Sequence, residues 1–314
     1  MLLNPRKKPY FFYQYEALLR RLPKTHPIYA RVEADFYRYR AGFSGEKELD
    51  YYFDYLPSDI SYFHQLYASV LNSKFSVQID LLLLSPTFIS IIELKHYAGS
   101  LYFSSHYNQL IKKADGQSEV MTCPLAQVNR QRIQLERILK HDLKKEIPIL
   151  THVFVTNPRC EIKSDLPIQN LAHVAKLPEL VRQWKTTYTE PTLTKSHISN
   201  LGKRLVNRLK KEERNLLSRY KLDSSILRSG VLCNSCDAIM ARRRGYWVCA
   251  TCFEKGKNQH QQAFRDYALL HKTTMTLTEA MNWAGMRRDT CGRLMQQQFK
   301  RVPSVYPVTY QLID

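Results

Sequence analysis

The sequence predicts a mixed α/β domain followed by a small cysteine-rich module and a helical C-terminal unit. Three observations support this fold class. Two apolar runs flank a turn signal within residues 77–102, and helical and strand patterns around them follow the order α-β-β-β-α-β after an earlier strand. Two CxxC pairs lie between residues 233 and 252, and three helical patterns follow them. The 314 residues are enough for two domains, or for one domain with appendages.

Residues 77–102 predict a hairpin of two buried strands. Pro86 suits the second position of a tight turn, and the leucine and isoleucine runs on either side suit buried strands. We place the centre of the turn between Pro86 and Thr87. The strand register on both sides of the turn then follows directly.

This register places four polar residues on one face of the sheet. Asp80 faces Glu93, and Gln78 faces Lys95, because all four occupy alternate positions. Facing residues have Cβ atoms about 4.5–5.5 Å apart. A slip of one residue in the register would undo both pairs.

Two carboxylates this close, flanked by leucine and isoleucine, repel each other and resist desolvation. One of them must bind a proton, or a cation must lie between them. A divalent metal held by Asp80 and Glu93, with Lys95 beside it, is one interpretation. A salt bridge from Glu93 to Lys95 on a solvated sheet face is the other.

The spacing of these residues resembles a nuclease signature. Asp80, then twelve residues, then Glu93-Leu94-Lys95 resembles the D…(D/E)xK pattern of the restriction-endonuclease-like nucleases. Gln78-Ile79-Asp80, Glu93-Leu94-Lys95, Gly99 and Gln127 together resemble the NERD (nuclease-related) domain over roughly residues 42–160.

The resemblance implies a restriction-endonuclease-like core, in which helices flank a mixed sheet. It also implies hydrolysis of DNA phosphodiester bonds with one or two Mg²⁺ or Mn²⁺ ions at Asp80 and Glu93. Lys95 would orient the attacking water or stabilise charge on the phosphate. The implied catalytic residues are Asp80, Glu93, Lys95, Glu46, Gln78 and Gln127.

Two of these residues have ordinary alternative roles. Glu46 follows a break at residues 42–45, in the expected first turn of a helix to about Leu56, where the helix dipole favours a carboxylate. Gln127, near the start of a helix expected over residues 124–140, could be a surface glutamine. The resemblance instead implies that Glu46 is a third acidic residue of the metal site and that Gln127 is a hydrogen-bonding residue beside it.

The composition predicts an acidic partner. Lys and Arg number 47 against 28 Asp and Glu, which gives a formal net charge of +19. Nucleic acid is the commonest partner of so basic a chain, and a membrane surface is the alternative. No apolar run approaches the roughly 20 residues that span a bilayer. The first residues lack the apolar core of a signal peptide, so we expect a cytoplasmic protein.

Four of the seven cysteines predict a structural zinc site. In Cys233-x2-Cys236-x12-Cys249-x2-Cys252, each CxxC pair directs two sulfurs at one centre, and four thiolates close a tetrahedral site. The pattern resembles a zinc ribbon with a hairpin turn at Gly245. A pair of redox dithiols is the rival interpretation. Cys123, Cys160 and Cys291 stand alone and are given no role.

Two arginine groups are expected to contact nucleic acid. Arg242, Arg243 and Arg244 lie in the predicted hairpin and could bind phosphates or form a solvated charge run. The expected helices at about 259–271, 278–284 and 289–299 resemble a helix-turn-helix, with residues 305–313 as a small wing or strand. A plain three-helix packing unit is the alternative. The arginines presented by its last helix are Arg287, Arg288 and Arg293.

Several further elements are expected from the pattern. Residues 1–41 should form two helices, about 12–22 and 28–40, whose aromatics pack onto the following domain. Gly99–Phe103 should be a third central strand, and 104–124 an irregular loop with a turn at Asp115-Gly116 that could act as a flap. A strand over 60–70 with a turn at Asn72-Ser73 should precede the hairpin. A buried strand over 147–155, further helices in 161–200 and a basic helix over 201–222 should come after the helix at 124–140.

The chain is therefore divided into five predicted segments. These are a basic aromatic segment 1–41, the nuclease-like domain 42–200, a basic helical linker 201–230, the zinc ribbon 231–256 and the helical unit 257–314. The first functional hypothesis is a metal-dependent deoxyribonuclease. A non-catalytic DNA-binding or regulatory protein that uses the nuclease fold as a scaffold is the second. RNA as the substrate is the third, because a basic surface does not separate RNA from DNA.

Overall fold

A computed structural model describes residues 1–69, 76–104, 106–140, 143, 146–209, 214–303 and 307–312. They form two compact units. Unit 1 comprises Met1–Lys7 and Arg38–Lys211, and unit 2 comprises Lys8–Tyr37 and Glu212–Asp314. Within the described ranges, no helix is both long and apolar enough to cross a bilayer. The expected turn at Asn72-Ser73 lies outside them.

Unit 1 is a mixed α/β unit with two sheets. Its strands are β1 (Leu2–Asn4), β2 (Ser61–Ser69), β3 (Ser76–Leu84), β4 (Ile89–Lys95), β5 (Ser100–Ser104), β6 (Gln109–Ala114), β7 (Gln117–Thr122), β8 (Ile149–Val155), β9 (Glu161–Ser164) and β10 (Leu171–His173). Its helices are the end of α2 (Tyr29–Lys47), then α3 (Asp50–Phe53), α4 (Pro124–Leu139), α5 (Leu177–Thr187) and α6 (Lys195–Asn207).

The central sheet has the order β1-β2-β3-β4-β8-β10 and is buried on both faces. One face packs against α4 and α6 through Leu135, Ile138 and Leu201. The other packs against α5 through Leu177 and Val181. Strands covered on both sides must be apolar throughout, which explains the long leucine and isoleucine runs.

The predicted hairpin register is confirmed where the strands pair. Leu81 faces Ile92 and Leu84 faces Ile89, as a turn centred between Pro86 and Thr87 requires. Counted from the turn, the last pair of β3 with β4 is Leu81 with Ile92, and Asp80 is the next residue of β3 beyond that pair. The strands expected near residues 60–70 and 147–155 and the helix at 124–140 are also present, as β2, β8 and α4.

Residues 99–122 differ from the prediction. β5 belongs to a second sheet, of order β7-β6-β5-β9, and not to the central one. Gly99, at φ +84°, turns the chain away after β4. The expected irregular loop is the β6–β7 hairpin, and its predicted turn at Asp115-Gly116 is present with both residues at positive φ. The sequence does not predict this hairpin, because β7 is exposed almost throughout and lacks an alternation of apolar residues.

The predicted helix break at residues 42–45 is wrong. α2 continues through both glycines to Lys47, so Glu46 lies in its last turn and not in a first turn. A glycine inside a helix costs about 1 kcal/mol, which packing readily offsets. Gly45 has a packing reason, because a Cβ at this position would overlap the His96 side chain.

The C-terminal part of unit 1 also differs in detail. Strands β9 and β10 precede the helices expected in 161–200. The basic helix expected over 201–222 ends at Asn207, and a short helix, α7 (Leu216–Tyr220), follows in unit 2.

Unit 2 is built from α1 (Tyr10–Arg21), the first part of α2, α7 and the C-terminal elements. These are β11 (Met240–Arg243), β12 (Tyr246–Cys249), β13 (Lys255–Gly256), α8 (His260–Leu270), β14 (Thr274–Thr276), α9 (Leu277–Ala284), α10 (Arg288–Gln298), β15 (Lys300–Arg301) and β16 (Thr309–Gln311). The three expected C-terminal helices are present, and β16 lies between β14 and β15 in a small sheet.

The core of unit 2 includes the N-terminal aromatics. Phe12 and Tyr15 pack against Phe36, and the Tyr15 hydroxyl lies 2.9 Å from that of Tyr220. The buried Arg21 Nε donates to Asp266 at 2.8 Å. These aromatics therefore pack on one another within unit 2. The exact five-segment division stays a prediction.

Candidate active site and metal centre

The predicted Glu93–Lys95 pair lies at the end of β4. Glu93 is 2% exposed, and its Oε1 lies 2.5 Å from Lys95 Nζ. Its Oε2 accepts a hydrogen bond from Gln131 Nε2 at 2.8 Å. Lys95 Nζ also donates to Gln127 Oε1 at 3.3 Å. Both oxygens of this buried carboxylate are thus held by donors from β4 and from α4.

Asp80 lies where the ladders on both sides of β3 are interrupted. β2 pairs with Ile79 and Leu81 but not with Asp80, and β4 pairs no further than Leu81. Asp80 Oδ2 instead accepts the backbone N–H of Leu94 at 2.9 Å. The carboxylate thereby takes the place of a strand partner and points toward the end of β4.

Glu46 reaches the same region from the last turn of α2. Its Oε2 accepts a hydrogen bond from Gln65 Nε2 at 2.9 Å and lies 3.9 Å from Arg6 Nε. Gln65 has a φ of +52°, an uncommon conformation for a residue with a side chain. Arg6 also donates to Asp50 Oδ1 at 2.9 Å. Residues far apart in sequence therefore fix the position of Glu46.

Two carboxyl groups of this region, those of Glu46 and Asp80, have raised pKa values. Burial raises the pKa of Glu46 to about 7, and the Glu93 charge adds to this effect. Burial, then Glu93, then Glu46 raise the pKa of Asp80 well above its ordinary value. Burial alone would lower the pKa of Lys95, but Glu93 and Asp80 outweigh it and the pKa is raised. The site therefore holds two carboxyl groups that favour a bound proton or cation, beside the ammonium group of Lys95.

The structure brings five of the six predicted catalytic residues together. Gln78 is the exception. It lies two residues before Asp80 on the same face of β3 but is exposed and stands beyond the last pair of β3 with β4. The predicted pairing of Gln78 with Lys95 is therefore absent, since Lys95 faces Val155 of β8 and contacts Glu93 and Gln127.

Sequence reasoning missed several residues of this site. Gln131 follows Gln127 by one helical turn, so the spacing of the two glutamines was a usable signal. Arg6 and Gln65 left no local signal, because their contacts depend on β1 and β2 lying beside α2. Tyr97 is a further neighbour: burial raises its pKa, and Lys95, Glu93 and Asp80 all act on it.

Residues 41–156 match the family model of the nuclease-related domain. This segment is a nuclease-related domain. It contains α4, the hairpin β3–β4 and the Glu46, Asp80, Glu93 and Lys95 side chains, so the predicted resemblance is confirmed. No curated protein and no solved structure matches the chain.

The carboxylates of the nuclease-related domain suit a hard divalent cation in their chemistry. Mg²⁺ and Mn²⁺ prefer carboxylate oxygens, and Asp80, Glu93 and Glu46 supply them. A divalent cation would also favour the ionised forms of Asp80 and Glu46, whose pKa values are raised first by burial and then by the neighbouring carboxylates. These residues fit such an ion by donor type.

The four cysteines predicted to bind zinc lie close together in the structure. The Sγ atoms of Cys233, Cys236, Cys249 and Cys252 all lie within 4.8 Å of one another. Cys236 Sγ lies 3.5 Å from both Cys249 Sγ and Cys252 Sγ. A tetrahedral Zn²⁺ with Zn–S bonds of about 2.3 Å requires sulfurs about 3.8 Å apart. The cluster can hold a metal such as zinc, and it is consistent with the predicted zinc ribbon.

The two CxxC segments form equivalent knuckles. In the first, Asp237 N–H donates to Cys233 O at 3.0 Å, and in the second Phe253 N–H donates to Cys249 O at 3.2 Å. Asp237 and Phe253 both have positive φ, at +56° and +61°. The predicted hairpin between the knuckles is present as β11 and β12, with Arg244-Gly245 as its turn.

The arginines predicted to bind nucleic acid differ in exposure. Arg243 and Arg244 are exposed, whereas Arg242 is half-buried with its guanidinium 5.4 Å from the Trp247 ring centroid. Arg242 does not protrude because it lies on the inner face of the hairpin, opposite Trp247. On α10, Arg293 is exposed. Arg287 and Arg288, at the start of that helix, are exposed as well.

Proposed function

We propose that the nuclease-related domain hydrolyses phosphodiester bonds of nucleic acid, and of DNA in particular, with Mg²⁺ or Mn²⁺. The observation that carries the proposal is the convergence of Asp80, Glu93, Lys95 and Glu46 at one end of β3 and β4, inside the matched segment. The net charge of +19 supports a polyanionic substrate.

In this proposal Asp80 and Glu93 hold the metal ion, with Glu46 as a third ligand. A bound ion of this kind would polarise a phosphate and favour ionisation of a water. The remaining contributions come from the chain itself. Because Lys95 is held as a cation by Glu93 at 2.5 Å, it is suited to stabilise negative charge on phosphate oxygens.

The glutamines act as positioning residues. Gln131 fixes one oxygen of Glu93, and Gln127 fixes Lys95, so α4 sets the direction of both groups. Gln65 and Arg6 do the same for Glu46. In this proposal Gln78, which is exposed on the same strand face as Asp80, would donate a hydrogen bond to the substrate backbone.

The test compares wild type with Glu93→Gln on supercoiled DNA, single-stranded DNA and RNA. Reactions contain Mg²⁺, Mn²⁺ or no added divalent ion, and zinc content is measured throughout because a chelator would also attack the cysteines. Glu136→Gln, an exposed glutamate on α4 paired with Arg132, is the matched control. We expect a loss of about 10²- to 10⁴-fold for Glu93→Gln alone. Equal cleavage by wild type and Glu93→Gln would overturn the assignment.

A second candidate is a non-catalytic nucleic-acid-binding protein that keeps the nuclease-related domain as a scaffold. One observation favours it: Glu93 is already neutralised by Lys95, so its charge is compensated without a metal. This candidate predicts salt-sensitive binding that is the same for wild type and Glu93→Gln, with no cleavage of any substrate. The cleavage assay with supercoiled DNA, single-stranded DNA and RNA separates the two candidates, because only the nuclease cleaves one of these substrates.

A further inference from the structure

The four-cysteine hairpin has a basic outward face. The register pairs Arg243 with Tyr246, and Val248 with Lys255. Because side chains alternate between the two faces of a sheet, Arg243, Tyr246 and Lys255 share one face, and Lys257 continues it two residues later. The opposite face carries Trp247 and is buried.

Two lysines contact one aromatic ring on this outward face, and an arginine faces the same residue across the hairpin. Lys255 Nζ lies 4.2 Å from the Tyr246 ring centroid, and Lys257 Nζ lies 5.2 Å from it. Arg243 is exposed beside them. Positive charge placed around an aromatic ring is the arrangement that binds phosphates and stacks bases in single-stranded nucleic acid.

Phe253, which follows the second CxxC pair and precedes Lys255 by two residues, is an exposed aromatic residue of the same module. It is 81% exposed, and its φ is +61°. A phenylalanine gains nothing in folding from an exposed ring, and its backbone would be better served there by glycine or asparagine. Because both the exposed ring and the positive φ are unfavourable for a phenylalanine, a functional role for Phe253 is a reasonable hypothesis.

An adjoining cavity of about 390 Å³ extends the basic surface. It is lined by Lys257, Arg265 and five amide side chains, and none of its lining residues is acidic. Asparagine and glutamine amides can donate to and accept from the edges of unpaired bases. Lys257 belongs to both the cavity and the outward face, so the two are continuous.

We infer that the stacking face, defined as Arg243, Tyr246, Phe253, Lys255 and Lys257, binds single-stranded nucleic acid. The inference deepens the proposed function, on which its choice of nucleic acid as the ligand rests. An unpaired base stacks on Phe253, and the three cations contact the phosphates that flank it. A duplex binds this face weakly because its bases are already stacked and offer no free ring surface to Phe253.

The test measures binding by the zinc-loaded full-length chain carrying Glu93→Gln, so that no cleavage interferes. The probes are a short unstructured DNA strand and the same sequence as a duplex, followed by fluorescence anisotropy. Because stacking contributes about 1–3 kcal/mol per base, we expect Phe253→Leu and Phe253→Gly to weaken single-strand binding about 5- to 100-fold. Phe253→Trp should bind like the parent.

Ile239→Ala is the matched control. Ile239 is 61% exposed and follows the other knuckle, so its truncation removes a comparable apolar surface without removing a ring. It should leave binding unchanged. Lys257→Ala should reduce the salt slope of single-strand binding by about 0.7, as expected for one lost phosphate contact.

Three outcomes would overturn the inference. Unchanged binding by Phe253→Leu and Phe253→Gly would exclude stacking. Loss with Gly but not with Leu would indicate a general apolar contact, as with a peptide. Equal loss for strand and duplex would exclude selectivity for single strands. None of these depends on cleavage, so the nuclease proposal and the stacking face can fail separately.

Discussion

The four-cysteine cluster and the carboxylate cluster of the nuclease-related domain gather their ligands in different ways. The cysteines come from two short knuckles joined by one hairpin, and their sulfurs lie within 4.8 Å of one another. The carboxylates come from a helix end and two strands, and their neighbours come from as far as Arg6. The first site can hold a metal ion among four thiols, whereas the second already contains a cation, Lys95.

The largest expected effect is the loss of a cysteine ligand. Because metal binding to such a site contributes about 10–16 kcal/mol to folding, Cys249→Ser should abolish zinc binding and unfold the hairpin. Zinc content per chain and thermal unfolding of the full-length protein measure this. Cys291→Ala, which removes a buried cysteine of unit 2 outside the cluster, should keep its zinc. A Cys249→Ser protein with full zinc content would contradict a four-thiolate site.

The next effect tests the internal cation of the carboxylate site. Lys95→Met leaves Glu93 buried beside Asp80 without a counter-charge, and breaking a buried ion pair costs about 3 kcal/mol. Denaturant unfolding should therefore show a less stable protein. The double variant Lys95→Met, Glu93→Gln should recover part of this loss. No recovery would mean that Lys95 stabilises the domain through packing rather than charge.

A smaller effect is expected from the helix end that carries Glu46. Gly45→Ala places a Cβ against the His96 side chain and should break the 2.8 Å contact between His96 Nδ1 and Thr156 Oγ1. Overpacking of this kind costs about 1–3 kcal/mol. Gly42→Ala is the matched control, because a Cβ there meets no atom within 4 Å. Equal melting temperatures for the two variants would argue against the close approach.

The smallest expected effect is a loss of folding stability at acid pH that comes from a buried histidine and not from the carboxylates. Burial lowers the pKa of His152 to about 4, and its Nε2 is buried without a hydrogen bond among the described residues. The unfolded state therefore binds a proton first, and stability present above pH 6.5 is lost as the pH falls toward 4. His152→Phe should remove on the order of 1–2 kcal/mol of this loss, seen in unfolding free energies across that range. An unchanged pH profile would exclude His152 as a source.

Sequence reasoning succeeded where structure is local or strongly periodic. The hairpin register follows from one turn, and Ser85 N–H donates to Phe88 O at 2.9 Å to close it. The cysteine spacing fixes a local site for the same reason. Glu46 lies near enough to Asp80 to raise its pKa, but the predicted position of Glu46 in a first helical turn is wrong, because α2 continues through both glycines and Gly45 packs against His96.

The remaining errors involve contacts between segments distant in sequence. Nothing near Arg6 indicates that β1 pairs in parallel with β2 and so brings Arg6 toward Glu46. The second sheet was missed because β6 and β7 carry polar residues on both faces. Arg242 belongs to a basic run, and only the pairing with Trp247 shows that it faces inward.

The helices that cover the two faces of the central sheet determine which fragments of this chain can fold. The matched segment ends at residue 156, but α5 and α6, which cover the two faces of the sheet, come after it. A fragment of residues 41–156 would lack both helices, β1 and β10. It would expose leucine-rich surface on each side, and such surfaces lead to aggregation. An inactive fragment with those ends would therefore be no test of the enzyme, and a soluble one needs the whole of unit 1.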